Sequence, residues 1–285
     1  MKTSSKLQRF GNTSLAVRQN GSGIPLIWGH GLLGNMTVED KADVLDWKEI
    51  GKHAEIVRYD ARGHGDSDGS CEPEDYRWPC MAADMLAIAS SVTAGRGRKR
   101  YALGGLSMGA ATALEAAVQH PEQVAGLVLV LPPTAWNTRQ RQAAIYRRMA
   151  WFSGLLGAAP FRLLDWLPIP QREDGRSQLA LYTMKGLASA NPRHIQAALR
   201  GAALSDMPDK ASLAKLNVPT LILAWQDDMA HPVSTATALA EILPQVRSFI
   251  ISDPADLADW TPALCQFLDE IGSARKRRPA TKKKK

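Results

Sequence analysis

The chain has 285 residues, is 45% hydrophobic and carries a formal net charge of +7. That length can bury one large core with room for an inserted subdomain, and no apolar run reaches the ~18 residues that a membrane-spanning helix needs. The opening residues Met1–Asn12 contain no apolar stretch of secretory-leader type, so a cytoplasmic location is expected. Three cysteines, Cys71, Cys80 and Cys265, lack metal-ligand spacing and read as reduced thiols, with a Cys71–Cys80 pair as the alternative. The positive charge is local. Residues 275–285, RKRRPATKKKK, hold eight cations and no anion, which leaves a near-neutral body of −1. Such a run cannot pack a core, so 273–285 is expected to be a disordered tail. It resembles a nuclear-localisation or lysine-rich anchoring tail, and its candidate contacts are nucleic acid, an acidic membrane surface or an acidic protein.

In chain order, the runs Ser14–Arg18 and Ile24–Trp28 flank Asn20-Gly21-Ser22-Gly23, a turn chemistry that predicts a hairpin. The second run leads into His30-Gly31-Leu32-Leu33-Gly34. A mixed stretch to Lys52, containing Val44, Leu45 and Trp47, suits a helix. Glu55–Tyr59 reads as a buried strand closing on Asp60-Ala61-Arg62-Gly63-His64-Gly65-Asp66-Ser67. Tyr76–Ala94 has helical spacing at Met81, Met85, Leu86 and Ala89, and Gly95 to Arg98 breaks it.

Next comes the stretch on which the chain turns. Tyr101-Ala102-Leu103 runs into Gly104-Gly105-Leu106-Ser107-Met108-Gly109 and then an alanine-rich segment free of proline until Pro121. This predicts strand, tight turn and helix, with Gly105 and Gly109 flanking Ser107 in G-x-S-x-G spacing. The spacing places a serine hydroxyl on a strained elbow at a helix N-terminus, where backbone amides converge. Val124–Leu131 is a continuous apolar strand. Residues 137–217 show no strand pattern and read as a helical insertion. The strand rhythm resumes at Pro219–Ala224, breaks at Gln226-Asp227-Asp228, and continues as helix Ser234–Leu243, strand Arg247–Ile251 and helix Pro262–Ile271. Alternation of this kind predicts an α/β fold with a mostly parallel sheet covered on both faces.

Three motifs, His30-Gly31 after a strand, Arg62-Gly63-His64-Gly65-Asp66-Ser67, and Gly105-Leu106-Ser107-Met108-Gly109, resemble the α/β-hydrolase superfamily in order and spacing. The resemblance covers about residues 10–271. It implies a core formed by residues 1–136 and 218–272 and a cap formed by residues 137–217. Ser107 would be the nucleophile, with the amides of Leu32 and Met108 as an oxyanion hole. A serine here argues against the dehalogenases and epoxide hydrolases of the superfamily, which use aspartate. His30 and His64 lie in family motifs and are expected to brace loops. The stretch Ala224-Trp225-Gln226-Asp227-Asp228-Met229-Ala230-His231-Pro232 resembles the family's G-x-x-D-x-x-x-P loop. That alignment makes Asp228 the acid and puts Trp225 where glycine is usual.

The general base departs from the family pattern. The loop after the last strand, Ser252 to Trp260, contains no histidine, and the six histidines of the chain end at His231. Three readings stand open. His231, three residues after Asp228, acts as base from the acid's own loop, with Asp253 or Asp256 as possible orienting groups. Alternatively, His194 descends from the insertion. In the third, the base is lost, and the protein is a weak hydrolase or a ligand-binding or signalling protein. The insertion offers Trp151, Phe152, Phe161, Leu163, Leu164, Trp166, Leu167, Tyr182 and Met184 as an apolar lining, suited to a small, partly apolar ester, thioester or lactone. No nucleotide loop follows a strand and no histidine–carboxylate cluster suggests a metal, so no cofactor is expected.

Overall fold

The computed structural model describes residues 5–95, 100–157 and 175–274. Eight strands form one sheet: β1 (Lys6–Phe10), β2 (Thr13–Gly21), β3 (Ile24–Gly29), β4 (Ala54–Tyr59), β5 (Tyr101–Leu106), β6 (Val124–Val130), β7 (Thr220–Trp225) and β8 (Val246–Ile251). Their order is β1-β2-β4-β3-β5-β6-β7-β8. The β1–β2 and β2–β4 ladders are antiparallel and the other five are parallel. Strands buried on both faces need apolar side chains at successive positions, and β3, β4, β5 and β7 are buried along their whole length.

The described helices are α1 (Met36–Ala42), α2 (Trp47–Ile50), α3 (Trp78–Thr93), α4 (Met108–Gln119), α5 (Arg139–Leu156), α6 (Gly175–Gly186), α7 (Pro192–Ala203), α8 (Lys210–Ala214), α9 (Val233–Ile242) and α10 (Trp260–Ala274). Alternate strand residues divide between two cores. Ile27, Leu103, Leu129 and Ile222 pack with Met85 of α3, Leu114 of α4 and Leu239 of α9. Leu26, Ala102, Val128 and Leu221 pack on the opposite face with Ile50 of α2 and Leu264 of α10. Burying a leucine- or isoleucine-sized side chain in either layer contributes roughly 1.5–3 kcal/mol.

Two local expectations are corrected. The Asn20–Gly23 turn does not close a hairpin, because β4 lies between β2 and β3. β3 is buried throughout and takes parallel neighbours on both sides, whereas β2 has part-exposed positions such as Arg18 and Asn20 and pairs antiparallel with β4. The hairpin of this region is β1–β2, turning at Gly11, whose φ is +58°. The stretch up to Lys52 is two short helices. Asp43, at φ 51°, ends α1 in the left-handed conformation, and the Asp46 carboxylate starts α2 by accepting from the Lys48 and Glu49 amides.

The described part of the 137–217 stretch is helical, without a strand. Helix α5 packs on α7, α7 on the 3₁₀ turn Pro73–Tyr76, and α6 on α1. Of the expected apolar lining, Trp151 and Phe152 are 60% and 53% exposed and meet each other edge to face. Phe161, Leu163, Leu164, Trp166 and Leu167 lie outside the described residues, as does the basic run 275–285. No helix among the described residues is long and apolar enough to cross a membrane.

Burial pushes the Glu115 carboxyl on α4 up to about 7, against a smaller opposing effect of Arg77. Its folded value exceeds the unfolded one, so the folded state binds the extra proton. Stability therefore falls as pH rises through the interval from about 4.3 to 7. Glu115→Gln, which cannot ionise, is expected to gain in urea midpoint relative to wild type between pH 5 and pH 8. An equal difference at both pH values contradicts the assignment.

Candidate active site

Ser107 occupies the turn between β5 and α4 with φ 53° and ψ −106°, a conformation that a non-glycine residue holds only when its surroundings enforce it. Three backbones meet here. A Cβ on Gly109 would lie 1.9 Å from the Gly29 carbonyl oxygen, and one on Gly105 would lie 2.4 Å from the Gly109 carbonyl carbon. Only hydrogen fits at both positions. The Ser107 amide donates to the Val130 carbonyl at 2.9 Å, and the Gly109 amide to the His30 carbonyl at 3.1 Å. These bonds fix the elbow between neighbouring strand ends. The hydroxyl is presented to a protein partner rather than to open solvent, since Ser107 is 7% exposed.

That partner is His231. Its Nε2 lies 2.8 Å from Ser107 Oγ, although the two residues are 124 positions apart. Its Nδ1 lies 2.8 Å from Asp228 Oδ2. An ionised carboxylate only accepts, so Nδ1 carries the proton and Nε2 presents its lone pair to the serine hydroxyl. Asp228 accepts three further bonds: Trp225 Nε1 on Oδ2 at 2.9 Å, and the Ala230 and His231 amides on Oδ1 at 2.9 and 3.2 Å. Burial alone would raise this carboxyl. The hydrogen bond and charge of His231, with the indole and amide donors, overcome that and hold it well below the usual carboxylate range.

Met108 and Gly31, the residue before Leu32, border the same elbow. Met108 is the first residue of α4, where helix N–H groups lack intrahelical acceptors. Gly31 lies against the elbow, its Cβ direction reaching to 3.7 Å from Ser107 Cβ and 2.8 Å from Leu106 Cδ2. Leu32 follows it.

The two motif histidines sit in bracing positions. His30 Nδ1 donates to the Gly31 carbonyl at 2.8 Å while Nε2 accepts from the Ala61 amide at 2.9 Å. His64 Nδ1 donates to the Arg62 carbonyl at 2.8 Å and Nε2 accepts from the Leu33 amide at 3.3 Å. Burial lowers His30 to about 4 and His64 to about 3, so both rings are neutral near pH 7. His194, at the start of α7, packs against Gly69 and has no bond to Ser107. Asp253 is occupied in the histidine-free loop, where it accepts from the Ala255 amide at 2.9 Å and starts the 3₁₀ turn Pro254–Asp259. It does not orient His231, and neither does Asp256; that place is taken by Asp228. Among the described residues no group of three or more His, Cys, Asp or Glu is placed to hold a metal ion.

Trp225 was visible in the sequence only as a departure from glycine. Its hydrogen bond to the acid had no local signal, because it depends on the strand's facing in the sheet.

A mostly parallel sheet whose strand–helix elbow sets a serine against a histidine–aspartate pair defines the α/β hydrolases as a class. The sequence profile of the alpha/beta hydrolase fold family matches residues 24–261, and the chain belongs to that family. The RutD protein of Cronobacter sakazakii, named for carbamate hydrolysis, is 30% identical over 205 residues, covering 70% of this chain and 72% of its own. The RutD protein of Pseudomonas savastanoi is 27% identical over 235 residues, covering 80% and 87% respectively. Among solved structures, a hydrolase from Pseudomonas aeruginosa superposes with a TM-score of 0.72 at 19% identity, over 95% of this chain and 99% of that one. The enol-lactonase of Burkholderia xenovorans gives 0.69 at 18%, over 92% and 99%. An esterase from Thermogutta terrifontis gives 0.67 at 23%, over 94% and 98%. These structural likenesses are likenesses of fold; with the curated relatives, the family membership supports hydrolase activity.

Proposed function

We propose that the protein is a cofactor-free serine hydrolase acting on a small, partly apolar ester, thioester or lactone, with Ser107, His231 and Asp228 as its catalytic residues. The observation that carries this reading is the unbroken chain from Ser107 Oγ to His231 Nε2 at 2.8 Å and from His231 Nδ1 to Asp228 Oδ2 at 2.8 Å. As Ser107 Oγ bonds to the substrate carbonyl carbon, its proton passes to His231 Nε2 and the carbonyl π electrons move to the oxygen. The resulting imidazolium is stabilised by the Asp228 carboxylate, which stays ionised. Collapse of the tetrahedral species breaks the bond to the alkoxide or thiolate, which takes the proton from Nε2 to become the alcohol or thiol, tethered to the acyl chain when the substrate is a lactone. Water then attacks the acyl carbon, giving a proton to His231 Nε2, and collapse releases the acid as that proton returns to Ser107 Oγ.

In this reading the Leu32 and Met108 amides receive the oxyanion, and residues 137–217 form a cap beside the cleft. One such preset donor contributes about 2.7–4 kcal/mol to the transition state. The names of the RutD relatives add carbamates to the acyl compounds worth assaying. The competing reading, a ligand-binding protein without turnover, drew its strength from the histidine-free loop, and the His231 contact supplies a base without that loop.

The test is steady-state hydrolysis of short p-nitrophenyl esters across pH 5–9, with a fluorophosphonate label applied to wild type and Ser107→Ala. Turnover and labelling in wild type, both lost in Ser107→Ala, are expected. Asp228, with its carboxyl held low, is ionised over this whole range, because a depressed carboxylate loses its contribution only at more acid pH. An unlabelled Ser107 and a rate equal to background in both proteins would remove the enzyme reading.

A further inference from the structure

We propose that Trp225 is a positioning residue of this site, its indole N–H anchoring the Asp228 carboxylate to the sheet so that His231 stays aligned with Ser107. The inference rests on the serine-hydrolase reading and assigns a role to a side chain that the usual family loop, with glycine at this position, does not have.

Acid and base here share one irregular loop between β7 and α9. Asp227 in that loop has φ 60°, and Met229 is 86% exposed. Where the base comes from a separate loop, a small shift of the acid leaves the base's own backbone in place. Here a shift of Asp228 carries His231 with it, since the loop also bonds to itself through the Ala230 and His231 amides. Of the four donors to Asp228, three belong to that same loop: these two amides and His231 Nδ1. The fourth, Trp225 Nε1 at 2.9 Å, belongs to the last residue of β7. It is the sole tie from the carboxylate to regular structure among the described residues.

The indole is itself fixed. Trp225 is 7% exposed, lies in register with Ile251 of β8, and stacks on Trp260 with ring centroids 5.5 Å apart and planes 17° from parallel. Trp260 is fully buried and opens α10. It also ends the loop that lacks the family histidine. That loop therefore contributes a buttress in place of a base: Trp260 braces Trp225, Trp225 holds Asp228, and Asp228 orients His231. A part-buried hydrogen bond to a charged group is among the stronger kinds, and its loss misaligns the reacting geometry without altering the substrate pocket.

The experiment compares wild type with Trp225→Phe, with a benzothienyl isostere of tryptophan incorporated at position 225, and with Trp260→Phe, using the best p-nitrophenyl ester. The isostere keeps the ring's shape and loses only the N–H, so it answers the question even if Trp225→Phe fails to fold. Both changes at 225 are expected to lower kcat by about 10- to 100-fold. KM should stay within about twofold, and the isostere's thermal midpoint within about 3 °C of wild type. Trp260→Phe keeps the indole donor but thins its brace, and is expected to lower kcat by less than either change at 225 does. A wild-type kcat in the isostere overturns the inference. So does a rise in KM matching the fall in kcat, or a loss that tracks the thermal midpoint, since either assigns Trp225 to packing alone. Absence of turnover and fluorophosphonate labelling in wild type is a different result, and it removes the underlying hydrolase reading.

Discussion

His231→Ala is expected to lower kcat for ester hydrolysis by about 10⁴- to 10⁶-fold, close to the loss in Ser107→Ala and to that of the double variant. The near-equality follows from the geometry. Without Nε2 at 2.8 Å, the Ser107 proton has no acceptor, and the nucleophile reverts to an ordinary hydroxyl. On the proposed mechanism the residual rate then comes from the oxyanion donors and from binding, which the substitution leaves in place. The ring's Nδ1 contact is to Asp228 and its Nε2 contact to Ser107, and the side chain is 18% exposed, so truncation should leave the fold intact. A thermal midpoint near that of wild type, with turnover at background, is the expected pair of results. His194→Ala should retain full activity, because that ring has no contact with Ser107. Full activity in His231→Ala would show that the base lies elsewhere.

Gly109→Ala is expected to abolish folding or to destabilise the protein by more than ~3 kcal/mol, as judged by soluble yield and urea denaturation. The added methyl would meet the Gly29 carbonyl oxygen at 1.9 Å and its carbon at 2.4 Å. Both are backbone atoms of a strand held by β4 on one side and β5 on the other, and neither can rotate away as a side chain does. Relief requires lifting α4 off the sheet, which uncovers Ala110, Ala113 and Leu114. Gly272→Ala is the matched control. It lies near the end of α10 with nothing within 4 Å of the new methyl, and there the better helix propensity of alanine should add up to about 1 kcal/mol of stability. Equal stability of the two variants would contradict the close three-backbone contact at the elbow.

The altered loop after β8 also acquires a structural explanation. Asp253 caps a 3₁₀ turn, the turn feeds α10, and Trp260 closes the face beneath Trp225. In the folded chain this residue string sets Trp260 against Trp225, whose indole donates to Asp228.

What the sequence determined by itself was local. The elbow was legible because glycine on both sides of Ser107 answers a constraint that acts within five residues. Asp228 and the bracing histidines were named through the resemblance of their loops to family motifs, each loop following an apolar strand. The buried strands could be read because continuous apolar runs are what a sheet covered on both faces demands. The neighbours of those strands could not. Asn20–Gly23 has hairpin chemistry, yet β4 inserts between β2 and β3, since burial of β3 on both sides favours a parallel partner brought from far along the chain. The base was undecided for the same reason. His231, His194 and a missing histidine are indistinguishable by spacing. The 2.8 Å contact between His231 and Ser107 exists only after β5 and β7 take their places beside β6. The indole bond from Trp225 to Asp228 depended on one thing more, the pleat of β7, which turns Trp225 toward Trp260 with Leu221 and Leu223. Short-range sterics write turns and caps into adjacent residues, whereas strand order and the meeting of distant side chains follow from how the whole chain buries its apolar surface.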